Sequence, residues 1–243
     1  MPISTLRLNR YLAQLGVASR RKADEMISAG RISIAGKTIR ELGFKVEPGT
    51  KGIEVDGVPL ERSHVRKVYF LFHKPKNVVT TLSDPQGRPT VAEYFSHIRE
   101  RVYPIGRLDY DTEGVIILTS DGEAAHRLMH PRFEVERVYE ALVVGAPPLG
   151  VLRRLAEGID LGDRTPARAI ATVVRRQGSH SVVRLTLREG RKREVKRMLA
   201  AIGFPVLRLR RVSFAGVTVR GLKPGTWRVL VAAEIRRLTL RQE

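Results

Sequence analysis

The chain has 243 residues, 44 of them Lys or Arg against 25 Asp or Glu, for a formal charge of +19, and no cysteine. Disulfides, thiolate zinc sites and cysteine nucleophiles are thereby excluded, and the cationic excess is larger than solubility requires, which implies a polyanionic partner. With 42% hydrophobic residues the chain can bury the core of one large domain, or of a large and a small one. Nucleic acid fits the charge better than an anionic membrane, because no stretch joins an aromatic apolar face to a lysine-rich polar face. Arg7 and Arg10 interrupt the apolar run that a signal peptide would need, and no run is long enough to span a bilayer. A cytoplasmic protein without membrane attachment is expected.

From the N-terminus, Leu6, Tyr11, Leu12 and Leu15 fall at helical spacing over residues 6–15, and Gly16 closes the turn. Ser19 is an N-cap for a second helix running to about Ala29 and stopped by Gly30. Its first turn is Arg20-Arg21-Lys22, with no acid at the capping-box position. Three cations at the positive end of a helix dipole are unfavourable for stability, and together with the free backbone N–H groups they make a phosphate site. Two hairpins follow, residues 31–34 turning at Ala35-Gly36 and residues 53–55 turning at Asp56-Gly57. This helix-helix-hairpin order, with Ser19-Arg20-Arg21, Gly30-Arg31 and Gly36-Lys37, resembles the S4-type RNA-binding domain. The resemblance implies an RNA-binding domain over residues 1–63, with a short flexible linker at 64–67.

Residues 68–72 read as a strand that ends at His73-Lys74-Pro75, and residues 78–81 as another. Residues 84–88 form a Pro/Gly loop, and residues 90–95 a short helix. A strand is expected at 115–118, then a helix from about 123 to 129 stopped by His130-Pro131. Strands are expected at 137–144 and 182–187, with a helix at 152–157 between them. Around 193–202 a helix carries Val195, Met198, Leu199 and Ile202 as its apolar stripe. Lys192 and Arg193 begin a basic run that continues, after the helix, into Arg208, Arg210 and Arg211. Many strands with few βαβ units predict an α+β fold around a mixed, mainly antiparallel sheet.

Residues 106–114, Gly-Arg-Leu-Asp-Tyr-Asp-Thr-Glu-Gly, crowd three acids into this basic chain. Asp109, Asp111, Glu113 and Gly114 fit the opening of a calcium loop. The twelfth position, which should be a bidentate Glu, is Ser120, and a strand follows where a helix should. No metal is expected. Taken alone, Asp109 could be an ordinary turn residue. However, the Gly-Arg-Leu-Asp-x-x-Thr-x-Gly pattern resembles the catalytic motif of pseudouridine synthases, specifically the RsuA-type family that modifies ribosomal RNA. The resemblance extends through Lys74-Pro75, Asp84-Pro-Gln-Gly-Arg-Pro-Thr-Val91, Asp121-Gly122-Glu123, His130-Pro131, Arg137-Val138-Tyr139 and Glu189-Gly-Arg-Lys-Arg-Glu-Val-Lys-Arg-Met198.

The resemblance implies a pseudouridine synthase catalytic domain over 68–243 that isomerises a uridine of ribosomal RNA without cofactor. Asp109 takes the place of the essential carboxylate, either attacking as nucleophile or removing a sugar proton. Tyr139 takes the place of the tyrosine that stacks on the target base, and Lys196 stands where many relatives carry an arginine as charge partner of the acid. Arg107 would contact phosphate or fill the gap left by the extruded base. Arg20, Arg21, Lys22, Arg31, Lys37, Arg191, Lys192 and Arg193 are the expected RNA contacts. The 84–91 loop and Arg137 are more similar to members acting on large-subunit (23S) than on small-subunit (16S) RNA, and a monomer is expected. Lys74-Pro-Lys-Asn77 departs from the Gly often found at its fourth position. A different class of function, a non-catalytic ribosome-associated binder built on the S4-like part, would leave the acid in the basic cleft without a purpose.

Overall fold

A computed structural model describes residues 5–60 and 66–240. The chain divides into two compact units, 1–67 and 68–243. Of the linker expected at 64–67, His64 and Val65 lie outside the described residues.

In the first unit, β1 (Leu6–Arg7) leads into α1 (Leu8–Gln14) and α2 (Arg20–Ser28). The expected first helix is therefore two residues shorter at its start, because Leu6 and Arg7 pair with Val46 and Lys45 of β4 (Lys45–Val46). β2 (Ile32–Ile34), β3 (Lys37–Ile39), β5 (Ile53–Val55) and β6 (Val58–Pro59) form one sheet in the order β3-β2-β5-β6. Both hairpin turns hold two residues at positive φ: Ala35 and Gly36, then Asp56 and Gly57. This is the backbone that a two-residue turn between twisted strands requires. Leu8, Leu12, Ala23, Ile27 and Ile32 are almost fully buried between the helices and this sheet.

The second unit is built on β7 (Tyr69–Lys74), β8 (Tyr103–Pro104), β9 (Glu113–Thr119), β10 (Arg137–Val144), β11 (Ile170–Gln177), β12 (His180–Leu187), β13 (Val206–Phe214), β14 (Val217–Thr218) and β15 (Trp227–Val229). Seven of these run side by side as β11-β12-β10-β13-β9-β7-β15, with β8 attached to β9 and β14 to β13. Every pairing is antiparallel except that of β9 with β13. The helices are α3 (Gly122–Met129), α4 (Leu149–Glu157), α5 (Glu194–Ala201) and α6 (Ala232–Leu240). The fold is α+β with a mixed, mainly antiparallel sheet. Among the described residues no helix is long and apolar enough to cross a membrane.

The strand expected at 78–81 is absent; only an isolated bridge joins Val79 to Thr90. That segment is anchored by side chains instead. Val78 is buried against the Phe70 and Phe72 cluster, and Thr80 Oγ1 donates to the Leu108 carbonyl at 2.8 Å while accepting from the Leu108 N–H at 3.2 Å. A threonine committed to a neighbouring loop in this way leaves its segment outside the ladder. The expected helix at 90–95 is a 3-10 turn, Val91–Phe95, closed at Thr90 by a capping box with Glu93.

Candidate active site

A cavity of about 680 Å³ opens in the second unit at the ends of β10 and β13. Its walls come mainly from four parts of the chain: Arg107 to Asp109 with Thr112, Arg137 and Tyr139 of β10, Leu209, Arg211 and Phe214 of β13 facing them, and residues 190–195 at the head of α5. The sheet register explains the meeting. Tyr139 lies opposite Arg211 across the β10–β13 pair, and Arg211 lies opposite Gly114 across the β13–β9 pair. Arg137 and Tyr139, two apart on a strand, share a face.

The 106–114 loop is held mainly by backbone. Thr112 N–H donates to the Asp109 carbonyl at 3.0 Å, and Asn77 N–H donates to the Tyr110 carbonyl at 2.8 Å. Asn77 itself stands at φ +60°. Asparagine tolerates this left-handed geometry, so the turn keeps its shape without the expected glycine. The three acids of the loop separate. Asp109 is half-buried and lines the cavity. Asp111 is exposed and receives Lys196 Nζ at 2.5 Å. Glu113 is buried beneath Arg208 and Arg210, at 3.0 and 3.7 Å.

Lys196 thus does not serve as the partner expected for Asp109. Its position on α5 brings the ammonium to Asp111, two residues further along the loop, and it does not line the cavity. Burial raises the Asp111 carboxyl, but the bond and charge of Lys196, with a backbone N–H and Arg193, together hold the group below its ordinary value. The cation beneath the loop is Lys74, with no exposed surface. Its Nζ donates to the carbonyls of Pro75 at 2.8 Å and Val78 at 2.7 Å, with Tyr110 at 3.5 Å. Burial pushes Lys74 down to about 8, against the opposing pull of Asp111, Asp109 and Glu113.

This burial has a stability signature. Between about 8 and the ordinary 10.5 the unfolded chain binds the proton that folded Lys74 has released, so stability rises with pH across that window. Urea unfolding from pH 8 to pH 9.5 should show the gap between wild type and Lys74→Met widening by about 2 kcal/mol in favour of wild type. An unchanged gap would mean that Lys74 keeps its proton.

The remaining expected contacts behave differently from one another. Arg107, Lys192 and Arg193 are exposed at the cavity, and Arg193 sits at φ +51° as the N-cap of α5. Arg191, expected among the RNA contacts, is held by the protein itself. Its guanidinium donates to Glu189, Asp163, the Thr165 hydroxyl and the Thr165 and Pro166 carbonyls. All five donors of an arginine are then engaged within the protein, which makes it a clamp for the 163–166 loop at the cavity wall. Glu194, unmarked by the sequence reading, lines the cavity at 4% exposure. Its carboxyl accepts from Arg191 N–H at 3.0 Å, and burial pushes it up to about 7. Its neighbour Glu189 raises it further.

In the first unit, Ser19 Oγ accepts from Lys22 N–H at 3.0 Å as the N-cap of α2. Lys22 Nζ pairs with Glu25 at 2.7 Å, and Arg31 is bound through two hydrogen bonds to Asp56, at 2.8 and 2.5 Å. Arg20, Arg21 and Lys37 are exposed, and none of them makes an ion pair among the described residues.

A loop acid, a strand tyrosine and clustered arginines around one cavity on this sheet define a class of enzyme that acts on RNA bases, and known proteins agree. The sequence profile of the RNA pseudouridylate synthase family matches residues 68–201, and that of the S4 domain matches residues 6–51. The chain belongs to the RNA pseudouridylate synthase family. It is 45% identical over 234 residues to ribosomal large subunit pseudouridine synthase B of Bacillus subtilis (strain 168), covering 96% of this chain and 95% of the relative. It is 39% identical to the protein of the same name from Escherichia coli O157:H7, covering 94% and 80%. A crystal structure of a pseudouridylate synthase superposes with a TM-score of 0.70 at 29% identity, covering 96% of this chain and 99% of that one.

Proposed function

We propose that this protein converts a specific uridine of large-subunit ribosomal RNA to pseudouridine, acting as a cytoplasmic monomer with Asp109 as the catalytic carboxylate. The observation that carries the reading is the placement of Asp109 and Tyr139 on the walls of one cavity, whose rim bears Arg107, Lys192 and Arg193. A uridine in folded RNA must leave its stack to be reached. Tyr139 offers a face for the extruded base, and the rim cations offer contacts for phosphate. The relatives named for the large subunit favour that RNA as substrate. The decisive experiment compares pseudouridine maps of ribosomal RNA from cells with and without the gene, together with isomerisation of large-subunit transcripts by the purified protein. One large-subunit position should lose its modification and regain it in vitro. A position in small-subunit RNA, or no position at all, would overturn the assignment.

RNA capture also draws on the S4-type unit, where Arg20 and Arg21 open α2 with no acid in its first turn and make no ion pair among the described residues. Their double replacement by alanine should weaken binding to large RNA fragments and lower the slope of log K against log salt by about 1.5, as for two lost phosphate contacts. Titrations at several salt concentrations measure this, and an unchanged slope would remove α2 from the RNA interface.

A further inference from the structure

The wall of the cavity contains two arginines that make no ion pair among the described residues, Arg137 and Arg211. Arg211 is only 2% exposed. Its Nε donates to the Val115 carbonyl at 2.8 Å, its guanidinium lies 5.0 Å from the Phe214 ring centre, and its buried Nη2 has no hydrogen-bond partner. Its neighbours Arg208 and Arg210 reach Glu113, whereas Arg211 makes no ion pair among the described residues. Arg137 lies 5.5 Å from the same ring and donates to the Val135 and Arg188 carbonyls, at 2.6 and 3.2 Å. Burial, joined by repulsion from Arg211, pushes Arg137 below the ordinary arginine range against the opposing pull of Tyr139, Glu194 and Glu189.

Burying two like charges side by side is costly where no carboxylate is in ion-pair contact with either, Glu194 and Glu189 acting on Arg137 only from a distance, and an apolar pair of similar volume would be more stable. Such an arrangement is accounted for by an electron-rich group that arrives with the substrate. The register identifies which group. Arg211 is directly opposite Tyr139, so the side chains of the two residues emerge about 5 Å apart. A base resting on Tyr139 therefore has the Arg211 guanidinium beside it. Backbone phosphates meet the exposed rim before they could reach so deeply buried a group.

We infer that Arg211, seconded by Arg137, hydrogen-bonds a carbonyl oxygen of the extruded uracil and stabilises the negative charge the ring acquires when it leaves the sugar. This rests on the uridine-isomerisation reading above. In that step the N1–C1′ bond breaks and its electron pair stays on the ring, delocalised from N1 onto O2 and O4. The sugar is satisfied either by a bond from the Asp109 carboxylate to C1′ or by transfer of the C2′ proton to Asp109, which is later returned. The ring then turns, C5 forms its bond to C1′, the C5 proton is released and N1 gains one. Charge on the ring is common to both routes, so the role of Arg211 does not depend on which is followed. Arginine keeps its protons throughout; it acts as a fixed donor aimed at developing charge.

The test uses the full chain and single turnovers on an RNA fragment that wild type isomerises, made with uridine or with 5-fluorouridine. Arg211→Gln should slow the uridine reaction about 100-fold while RNA affinity stays within about threefold, and Arg211→Lys should recover part of the rate. Fluorine already stabilises the ring anion, so with 5-fluorouridine the deficit in glycosidic cleavage should shrink below about tenfold. Arg137→Gln should show the same pattern at smaller amplitude, and it carries the test if Arg211→Gln fails to fold by circular dichroism. A rate within twofold of wild type, an affinity loss that accounts for the whole defect, or equal deficits on both substrates would overturn the inference. Failure of the underlying reading looks different: wild type itself would form no pseudouridine.

Discussion

Asp109→Asn is expected to abolish isomerisation, by about 10⁴-fold or more, while RNA binding is retained. The substitution is nearly isosteric and removes only the charge. The loop has no need of that carboxylate for its shape, because its position comes from the Thr112 and Asn77 backbone bonds and from Thr80 clasping Leu108. Folding should therefore be unaffected, and a basic protein that sheds one negative charge should hold RNA as well or slightly better. Release of the uridine C5 hydrogen measures the chemistry, and filter binding measures the affinity. Substantial residual turnover would remove Asp109 from the reaction. A parallel loss of affinity and product would favour a protein that binds RNA without transforming it.

Gly114→Ala should be the most damaging single substitution for stability. A methyl group built on Gly114 would stand 2.1 Å from the Arg211 carbonyl oxygen, and the residue is held at φ +120°. Neither problem can be relieved by a flexible side chain, since the obstacle is the backbone of β13 at the point where it pairs with β9. The expected cost is about 4 kcal/mol, measured by urea unfolding. Because the row Gly114, Arg211, Tyr139 would be disrupted, product formation should fall as well. A variant within about 1 kcal/mol of wild type would refute the parallel contact between these strands.

Elements whose own pattern is strong were readable before folding. The strand Arg137–Val144 was expected with these same limits. Both Gly-containing hairpin turns were marked by residues that tolerate positive φ, and the apolar stripe of α5 is buried as its spacing requires. Elements defined by distant neighbours were not readable. β11 was not predicted, and β13, with three arginines, was read only as part of a basic run. In β13 the alternation of Leu209, Arg211 and, beyond Val212 and Ser213, Phe214 on the buried face was the available signal. α6 packs against α3, far away in sequence, and went unpredicted. In the site, the motif resemblance singled out Asp109 and Tyr139, and both line the same cavity. The partner of Lys196 was misjudged, since a long side chain on α5 can reach either of two acids only two residues apart, and sequence does not measure that distance. Lys74 drew notice as part of a motif, but its complete burial beneath the loop is a tertiary fact.

The parallel contact of β9 with β13 joins residues 97 positions apart, Glu113 with Arg210 and Gly114 with Arg211. During synthesis, a chain that has emerged only as far as α4 already contains Asp109 and Tyr139 but lacks the strand that lies between their two supports. Closure of so long a loop is also among the slower steps available to a folding domain. A ribosome-bound fragment therefore carries the acid and the tyrosine without a working pocket, and competence arrives only once the last third of the polypeptide has docked. A fragment cut short after α4 would keep the S4-type unit and its hold on RNA, but without β13 it should form no pseudouridine.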